Sequence, residues 1–289
     1  MPTTTSPTMT ERQFQQLAKI IYDRSGISFK LPKKYVLESR LAHRLIELEI
    51  ETFDDYISLL SMGPFQQDEF QEMFNRITIN ETSFFRNEPQ LAVFEREALP
   101  LLLDARKATK RLRIWSAACS TGEEPYTLAM LLDRTLGVRL PDWRVEILGT
   151  DISERALDIA SEGKYTDYAL RSTNAAHKAR YFTQSGSMWQ LSPSIKQMVN
   201  FELHNLRDRA SARRHGLWDV IFCRNVMIYF DDAMVSQVLH MFADQLADDG
   251  FLFIGHSETI RPGEAPFTPT PQPQGFCYRK IAKGLGSSN

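Results

Sequence analysis

The 289-residue sequence is poor in the features that most quickly assign a function. Its three cysteines, Cys119, Cys223 and Cys277, are far apart and form no C-x-x-C pair, which argues against a disulfide framework or a zinc site and fits a reducing cytosol. The six histidines (His43, His177, His204, His215, His240, His256) are scattered without ligand spacing, so no metal is expected. No apolar run approaches the ~18 residues that span a bilayer. Met1 to Pro7 has neither a basic nor an apolar stretch, unlike a signal peptide. Lysine and arginine total 34 against 36 acids, a net charge of −2, which argues against a wholly basic nucleic-acid binder. There is no G-x-G-x-x-G and no Gly-Lys-Ser/Thr phosphate loop.

What is present is material for a core. Apolar residues make up 43% of the chain and charged residues 24%, an ordinary globular balance that excludes disorder for the bulk of it. At about 150 residues per domain the length suggests two domains. Residues 1–9, mostly Pro, Thr and Ser, read as a disordered leader. From 10 to 79 the periodicity is helical. Phe14, Leu17, Ile20 and Ile21 form one stripe, and Val36, Leu37, Leu41, Leu45 and Leu48 a second. Phe53, Tyr56, Ile57, Leu59 and Leu60 form a third, and Phe65, Phe70, Met73, Phe74 and Ile77 a fourth. Gly26, Pro32 and Gly63-Pro64 punctuate them.

Residues 80–90 break this pattern yet carry Phe84-Phe85, and two adjacent aromatics predict a packed, ordered linker. After a helix over 89–107, strands alternate with helices: 113–116, 144–149, 201–203, 218–223, 251–254 and 276–281 are strands, and 124–136, 153–161 and 233–246 are helices. Such alternation predicts a doubly wound, mostly parallel α/β sheet over 91–289. The interval 163–200 is too long for a connection. Tyr181-Phe182-Thr183 and Met188-Trp189-Gln190-Leu191 flank Ser185-Gly186-Ser187, which predicts an antiparallel insertion. Residues 262–273, with five prolines, read as an irregular loop.

Three segments carry chemistry. Trp115 to Tyr126 (W-S-A-A-C-S-T-G-E-E-P-Y) follows a strand and opens a helix, so small residues and unpaired N–H groups face a ligand. Two acids in the first helical turn would repel polyphosphate and suit sugar hydroxyls or positive charge. Glu123 is read as a helix-dipole partner and Glu124 as a ligand contact. Asp151 ends the second strand, where an acid of a doubly wound fold bonds ribose hydroxyls, or else caps the helix near Ser153. Together these indicate an adenosine-type ligand. Cys223 to Phe230 follows the fourth strand at the edge where such folds place reacting groups, with Tyr229 either aimed at substrate or half-buried.

Asn80-Glu81-Thr82-Ser83-Phe84-Phe85-Arg86, Ser116 to Tyr126, Phe222 to Phe230 (F-C-R-N-V-M-I-Y-F) and Gly255-His256-Ser257-Glu258 together resemble the chemotaxis receptor methyltransferase (CheR) family, from about residue 11 to 281. The resemblance implies a class I, Rossmann-like methyltransferase that uses S-adenosylmethionine, leaves S-adenosylhomocysteine and needs no metal. Its reaction would esterify glutamate side chains of chemoreceptors in the cytoplasm. It implies that Asn80, Thr82 and Arg86 line the cofactor from the linker side, and Glu124, Asp151, Asn205, Leu206, Cys223 and Arg224 from the sheet side. Arg86 and Tyr229 match the positions that act on substrate.

A glutamate with a pKa near ~4.3 is already the nucleophile at neutral pH, so no general base is needed and none is evident. Arg86 would orient the carboxylate through a charge-assisted hydrogen bond and Tyr229 would take its other oxygen. At ~100° per residue, Lys33, Arg40 and Arg44 fall within about 40° on one helix. This is either a solvated face or, as the resemblance implies, the substrate-binding surface for an acidic receptor bundle. The 163–200 insertion corresponds to the family's β-subdomain, which in some members grips a receptor tail peptide. The short turn Gln184-Ser185-Gly186-Ser187 argues against such tethering here. A monomer is expected. The alternatives are a methyltransferase for a small molecule or RNA, and a non-enzymatic S-adenosylmethionine sensor or adaptor.

Overall fold

The computed structural model describes residues 7–62, 66–272 and 275–281. Most of the expected leader, the break at Gly63-Pro64, and Pro273 lie outside the described residues. The leader ends earlier than its composition suggests. Met9 is buried against the helical domain, and its N–H donates to Glu38 Oε2 at 2.8 Å.

Four helices make the N-terminal domain: α1 (Glu11–Ser25), α2 (Lys34–Glu47), α3 (Phe53–Met62) and α4 (Gln66–Ile77). Thr10 and Gln13 form a capping box that starts α1. Gly26 ends it at φ 77°, and a Cβ there would sit 2.6 Å from Met234 Sδ, so one glycine serves both the turn and the approach of the second domain. The apolar stripes meet as expected, with Leu17, Ile21, Leu37, Leu41, Leu45, Phe53, Tyr56 and Met73 buried together. One polar cluster sits among them. Glu69 accepts the Tyr56 hydroxyl at 2.7 Å and the Arg44 guanidinium at 2.6 Å.

The second domain is a seven-stranded sheet formed by β1 (Arg111–Ala117), β2 (Arg144–Asp151), β6 (Val199–Leu203), β7 (Trp218–Cys223), β8 (Leu246–Ile254), β9 (Phe267–Gln272) and β10 (Gly275–Lys280). The spatial order is β6-β2-β1-β7-β8-β10-β9. The first five strands are parallel, and β10 and β9 are antiparallel. Helices α5 (Glu88–Val93), α6 (Leu99–Ala105), α7 (Glu123–Leu136), α8 (Glu154–Glu162), α9 (Ala175–Tyr181), α10 (Pro193–Lys196), α11 (Arg209–Ala212) and α12 (Asp232–Gln245) complete the domain, and a turn of π-helix joins α5 to α6. The two faces of the sheet are separate cores. Alternation along β7 sends Val220 and Phe222 to one, and Ile221 and Cys223 to the other.

Between α8 and β6 lies a small antiparallel sheet, β3 (Lys164–Tyr165), β5 (Met188–Leu191) and β4 (Phe182–Ser185), with Gly186 in the hairpin turn at φ 62°. The proline-rich segment differs from its expectation. Residues 267–272 are a strand, paired with β10 through Pro269 opposite Tyr278 and Pro271 opposite Phe276. An edge strand has one side free of partners, so it tolerates residues that lack an N–H.

The linker is packed, as its aromatics suggest. Phe84 meets Tyr165 and Phe182 edge-on at 4.7 and 4.9 Å, and Phe85 stacks on His177 at 4.4 Å. The Phe84 N–H donates to the Ala169 carbonyl and the Phe85 N–H to Thr127 Oγ1.

Candidate functional site

Parallel strands leave their carboxyl ends together, and the order reverses between β1 and β7. A cavity of about 300 Å³ opens there, roofed by the helical domain. Its walls come from most of the segments that the sequence singled out: the linker (Asn80, Thr82, Arg86), the loop after β1 (Ala118, Cys119, Ser120), Glu124, Asp151, Asn205, Leu206, and the loop after β7 (Arg224, Asn225, Tyr229); Gly255 to Glu258 stand behind it. Lys33, Tyr35 and Arg40 close it from the N-terminal domain. Of seven positive-φ non-glycine residues among those described, five (Phe85, Asn87, Ala118, Ser120, Asn225) lie in these segments. Backbone strain therefore gathers at one place, a mark of a functional site.

The sheet-side residues differ in what their polar groups are free to do. Asp151 is buried, with Oδ2 accepting the Ser120 N–H at 2.8 Å and Oδ1 the Ser153 N–H at 2.9 Å. Burial pushes its carboxyl up, while the backbone N–H groups of Ser153, Ser120 and Ile152 pull it down. A carboxylate has about four acceptor sites on its two oxygens, so Asp151 keeps lone pairs beyond these N–H groups. Asp151 is not the cap of α8, because Ser153 holds that place through the Ala156 N–H. Glu124 lines the cavity but is already engaged. Ser116 Oγ donates to one oxygen at 2.7 Å and Arg224 Nε to the other at 2.6 Å. Arg224 in turn donates to the Arg86 carbonyl at 2.9 Å and to Gln90 Oε1 at 3.3 Å. This buried pair ties the linker to the sheet. Asn205 donates to the Arg24 carbonyl at 2.6 Å, binding the roof to the wall.

Two expectations fail on geometry. Cys223 does not reach the cavity: strand alternation puts its Sγ in the core beside α12, and it is fully buried there. Arg44 does not belong to a basic docking stripe. Its guanidinium grips Glu69 inside the helical domain and also reaches Glu47 at 3.1 Å, and the hydrogen bonds it donates to both carboxylates, Glu69 first, raise its pKa. Lys33 ends a 3₁₀ turn before α2, so the even 100° count does not run through it. Arg40 still faces the cavity and donates to the Ile77 carbonyl.

Arg86 is held by one bond, Nη1 to the Glu81 carbonyl at 2.7 Å, which leaves other N–H groups to face a ligand. Tyr229 is half-buried. Desolvation raises its pKa, Arg40 and Arg86 oppose that, and the net shift is upward, so the phenol stays neutral and able to donate.

A polar ligand of the adenosine type fits this cavity. Among the described residues, Ser120 Oγ and His204 Nε2 are buried without a hydrogen-bond partner, and both residues line it. Buried polar groups with no partner, next to a carboxylate with free lone pairs, call for a ligand with its own donors and acceptors. Sequence reasoning missed His204, which carries no motif, and passed over Ser120 within the small-residue run. No group of His, Cys, Asp and Glu among the described residues is placed to hold a metal, and no helix among them is long and apolar enough to cross a membrane.

Comparison with known proteins assigns both domains to a family. Residues 12–78 match the family model for the CheR methyltransferase all-alpha domain, and residues 80–276 that for the CheR methyltransferase SAM binding domain. The chain is 36% identical to the chemotaxis protein methyltransferase of Escherichia coli, over 90% of this chain and 88% of that protein. It is 36% identical to the one from Borreliella burgdorferi, covering 88% and 90%. It is 38% identical to chemotaxis protein methyltransferase 2 of Pseudomonas aeruginosa, covering 87% and 88%. With both domain models matched in succession over most of the chain and relatives this similar along nearly nine-tenths of their length, the chain belongs to the CheR family of S-adenosylmethionine-dependent chemotaxis protein methyltransferases.

Proposed function

We propose that the protein transfers a methyl group from S-adenosylmethionine to glutamate side chains on the cytoplasmic helices of chemoreceptors, giving glutamyl methyl esters. The observation that carries this reading is that Arg40, Arg86 and Tyr229 line the same cavity as Ser120 and Asp151. A carboxylate-binding group of side chains thus shares one cavity with the polar groups suited to an adenosine.

When bound, S-adenosylmethionine supplies an electrophilic methyl group on a sulfonium. Asp151, with its free lone pairs, suits the ribose hydroxyls, and Ser120, His204, Asn205 and Leu206 the remaining polar and apolar edges. Asn80, Thr82 and Arg86 close on it from the linker. Arg86 holds the incoming glutamate carboxylate in its ionised form through a charge-assisted hydrogen bond. The neutral Tyr229 phenol donates to the second oxygen, so the attacking lone pair is aimed and not titrated. One C–S bond breaks, one C–O bond forms, and no proton changes hands. Alignment is therefore the main contribution of the protein.

Lys33 and Arg40 at the cavity mouth suit an acidic helical surface, and Arg40 carries more of this role because it faces the cavity directly. We place the enzyme in the cytoplasm as a monomer. It reaches its receptor without a tail-peptide tether, and no metal takes part.

The decisive experiment incubates the protein with methyl-labelled S-adenosylmethionine and receptor-bearing membranes, then adds base. Release of labelled methanol from a receptor-sized band is expected. Label that resists base would move the reaction to another acceptor.

A further inference from the structure

The segment Gly255-His256-Ser257-Glu258 has so far no role. Glu258 does not line the cavity, yet it is a carboxylate only 6% exposed. Its Oε2 accepts the N–H of Gly255 at 2.6 Å and of Asn225 at 3.0 Å, and its Oε1 accepts the N–H of Met227 at 2.8 Å. Three backbone donors from two loops, one after β8 and one after β7, converge on one side chain. Asn225 is left-handed at φ 61°, and Met227 opens the 3₁₀ turn Met227–Tyr229. Gly255 makes the contact possible, because a Cβ there would sit 2.6 Å from Glu258 Oε2 and 2.9 Å from the Asn225 nitrogen.

We infer that Glu258 is a positioning residue: its carboxylate clamps the strained Asn225–Tyr229 segment and so sets where the Tyr229 hydroxyl stands in the cavity. The inference rests on the role proposed above for Tyr229. An ionised carboxylate accepts at both oxygens and suits three N–H donors. A glutamine in its place has one oxygen and turns an NH₂ against at least one of those N–H groups, so the segment shifts. The cofactor side as proposed is built from the linker and the loops after β1, β2 and β6, none of which the three bonds of the clamp touch.

The test uses the full chain with Glu258→Gln, Gly255→Ala and the double variant. Three quantities are read: kcat with receptor membranes, Kd for S-adenosylhomocysteine by calorimetry, and amide exchange over residues 223–230. Each single variant is expected to lower kcat by at least about tenfold, since small misplacements of an aligning group are costly. Kd stays within about threefold and exchange over the segment rises. The double variant is no worse than the poorer single one, because both disturb one contact. Native kcat with native exchange in Glu258→Gln overturns the clamp. So does a Kd that weakens in step with kcat, which would make Glu258 a general prop of the fold. If Glu258→Gln slows turnover and loosens the segment while Tyr229→Phe is silent, the clamp stands and the role of Tyr229 falls. If the native protein esterifies no receptor, the exchange measurement alone decides the clamp: unchanged exchange overturns it.

Discussion

Arg86 and Tyr229 come from segments far apart in the chain, and only the cavity brings them together. Arg86→Ala is expected to lower kcat on receptor membranes by roughly 10- to 100-fold, the range for losing a charge-assisted contact made to the reacting group. Tyr229→Phe should cost about tenfold with the KM for S-adenosylmethionine unchanged, as measured by steady-state kinetics. A buried acid makes a separate prediction. Glu123 takes the Thr121 hydroxyl at 2.7 Å, and burial pushes its carboxyl up to about 7, with Arg171 acting in the opposite direction. A carboxyl whose folded pKa lies above its unfolded value holds its proton better when folded. Stability is therefore lost as pH rises between the unfolded value near ~4.5 and about 7. Glu123→Gln should raise thermal stability at pH 8, on the order of 2 kcal/mol, and leave it unchanged near pH 4. Equal shifts at both pH values in melting curves would sink this account. The helix-dipole role read from the sequence is what any acid in a first turn offers. The burial that raises this one belongs to the tertiary structure, and position in the chain carries no sign of it.

At the scale of elements, helical stripes were legible because burial repeats with the turn. The hairpin at 182–191 was legible because two apolar runs flank a serine-glycine turn. The strand at 267–272 was not, since prolines read as breakers until a strand is known to lie at an edge. Helix α2 shows the limit for site residues. Arg40 and Arg44 lie one turn apart, yet Arg40 meets the cavity and Arg44 meets Glu69 on α4. Charge reversal at Arg40 should raise the receptor KM several-fold and barely move stability. Arg44→Ala should instead cost about 3 kcal/mol by leaving a buried carboxylate unpaired, with KM unaffected. Chemical denaturation and receptor titration separate the two. The linker belongs at this scale as well. Phe84 is fully buried against Tyr165 and Phe182 of the small sheet, which explains why a polar segment carries an aromatic there.

At the scale of the molecule, the cavity is an interdomain space, and specific contacts join the two domains around it. The Ser28 N–H donates to the Tyr229 carbonyl at 2.8 Å, Gln71 to the Ile152 carbonyl at 2.9 Å, and Ile27 bridges to Phe230. A ligand that fills this space touches both domains. S-adenosylhomocysteine at a hundred times its Kd should stabilise the chain by about 2.7 kcal/mol. Amide exchange should slow in α1 and α2 as well as at the strand ends. Slowing confined to the sheet would mean that the roof takes no part in binding.

The two-domain plan, the α/β alternation, the packed linker and the motifs that carry the resemblance are all legible in the order of residues, because periodicity and turn chemistry are local properties. Which side chains are free follows from the packing of the folded chain. Asp151 retains lone pairs, whereas Glu124 and Arg224 are spent on each other. Cys223 faces a core, Arg44 a buried acid, and Glu258 clamps three amides. The reason is physical: a residue's type sets what it can bond to, but strand parity, helix phase and the neighbours across a domain boundary set what it meets. None of these is visible one residue at a time.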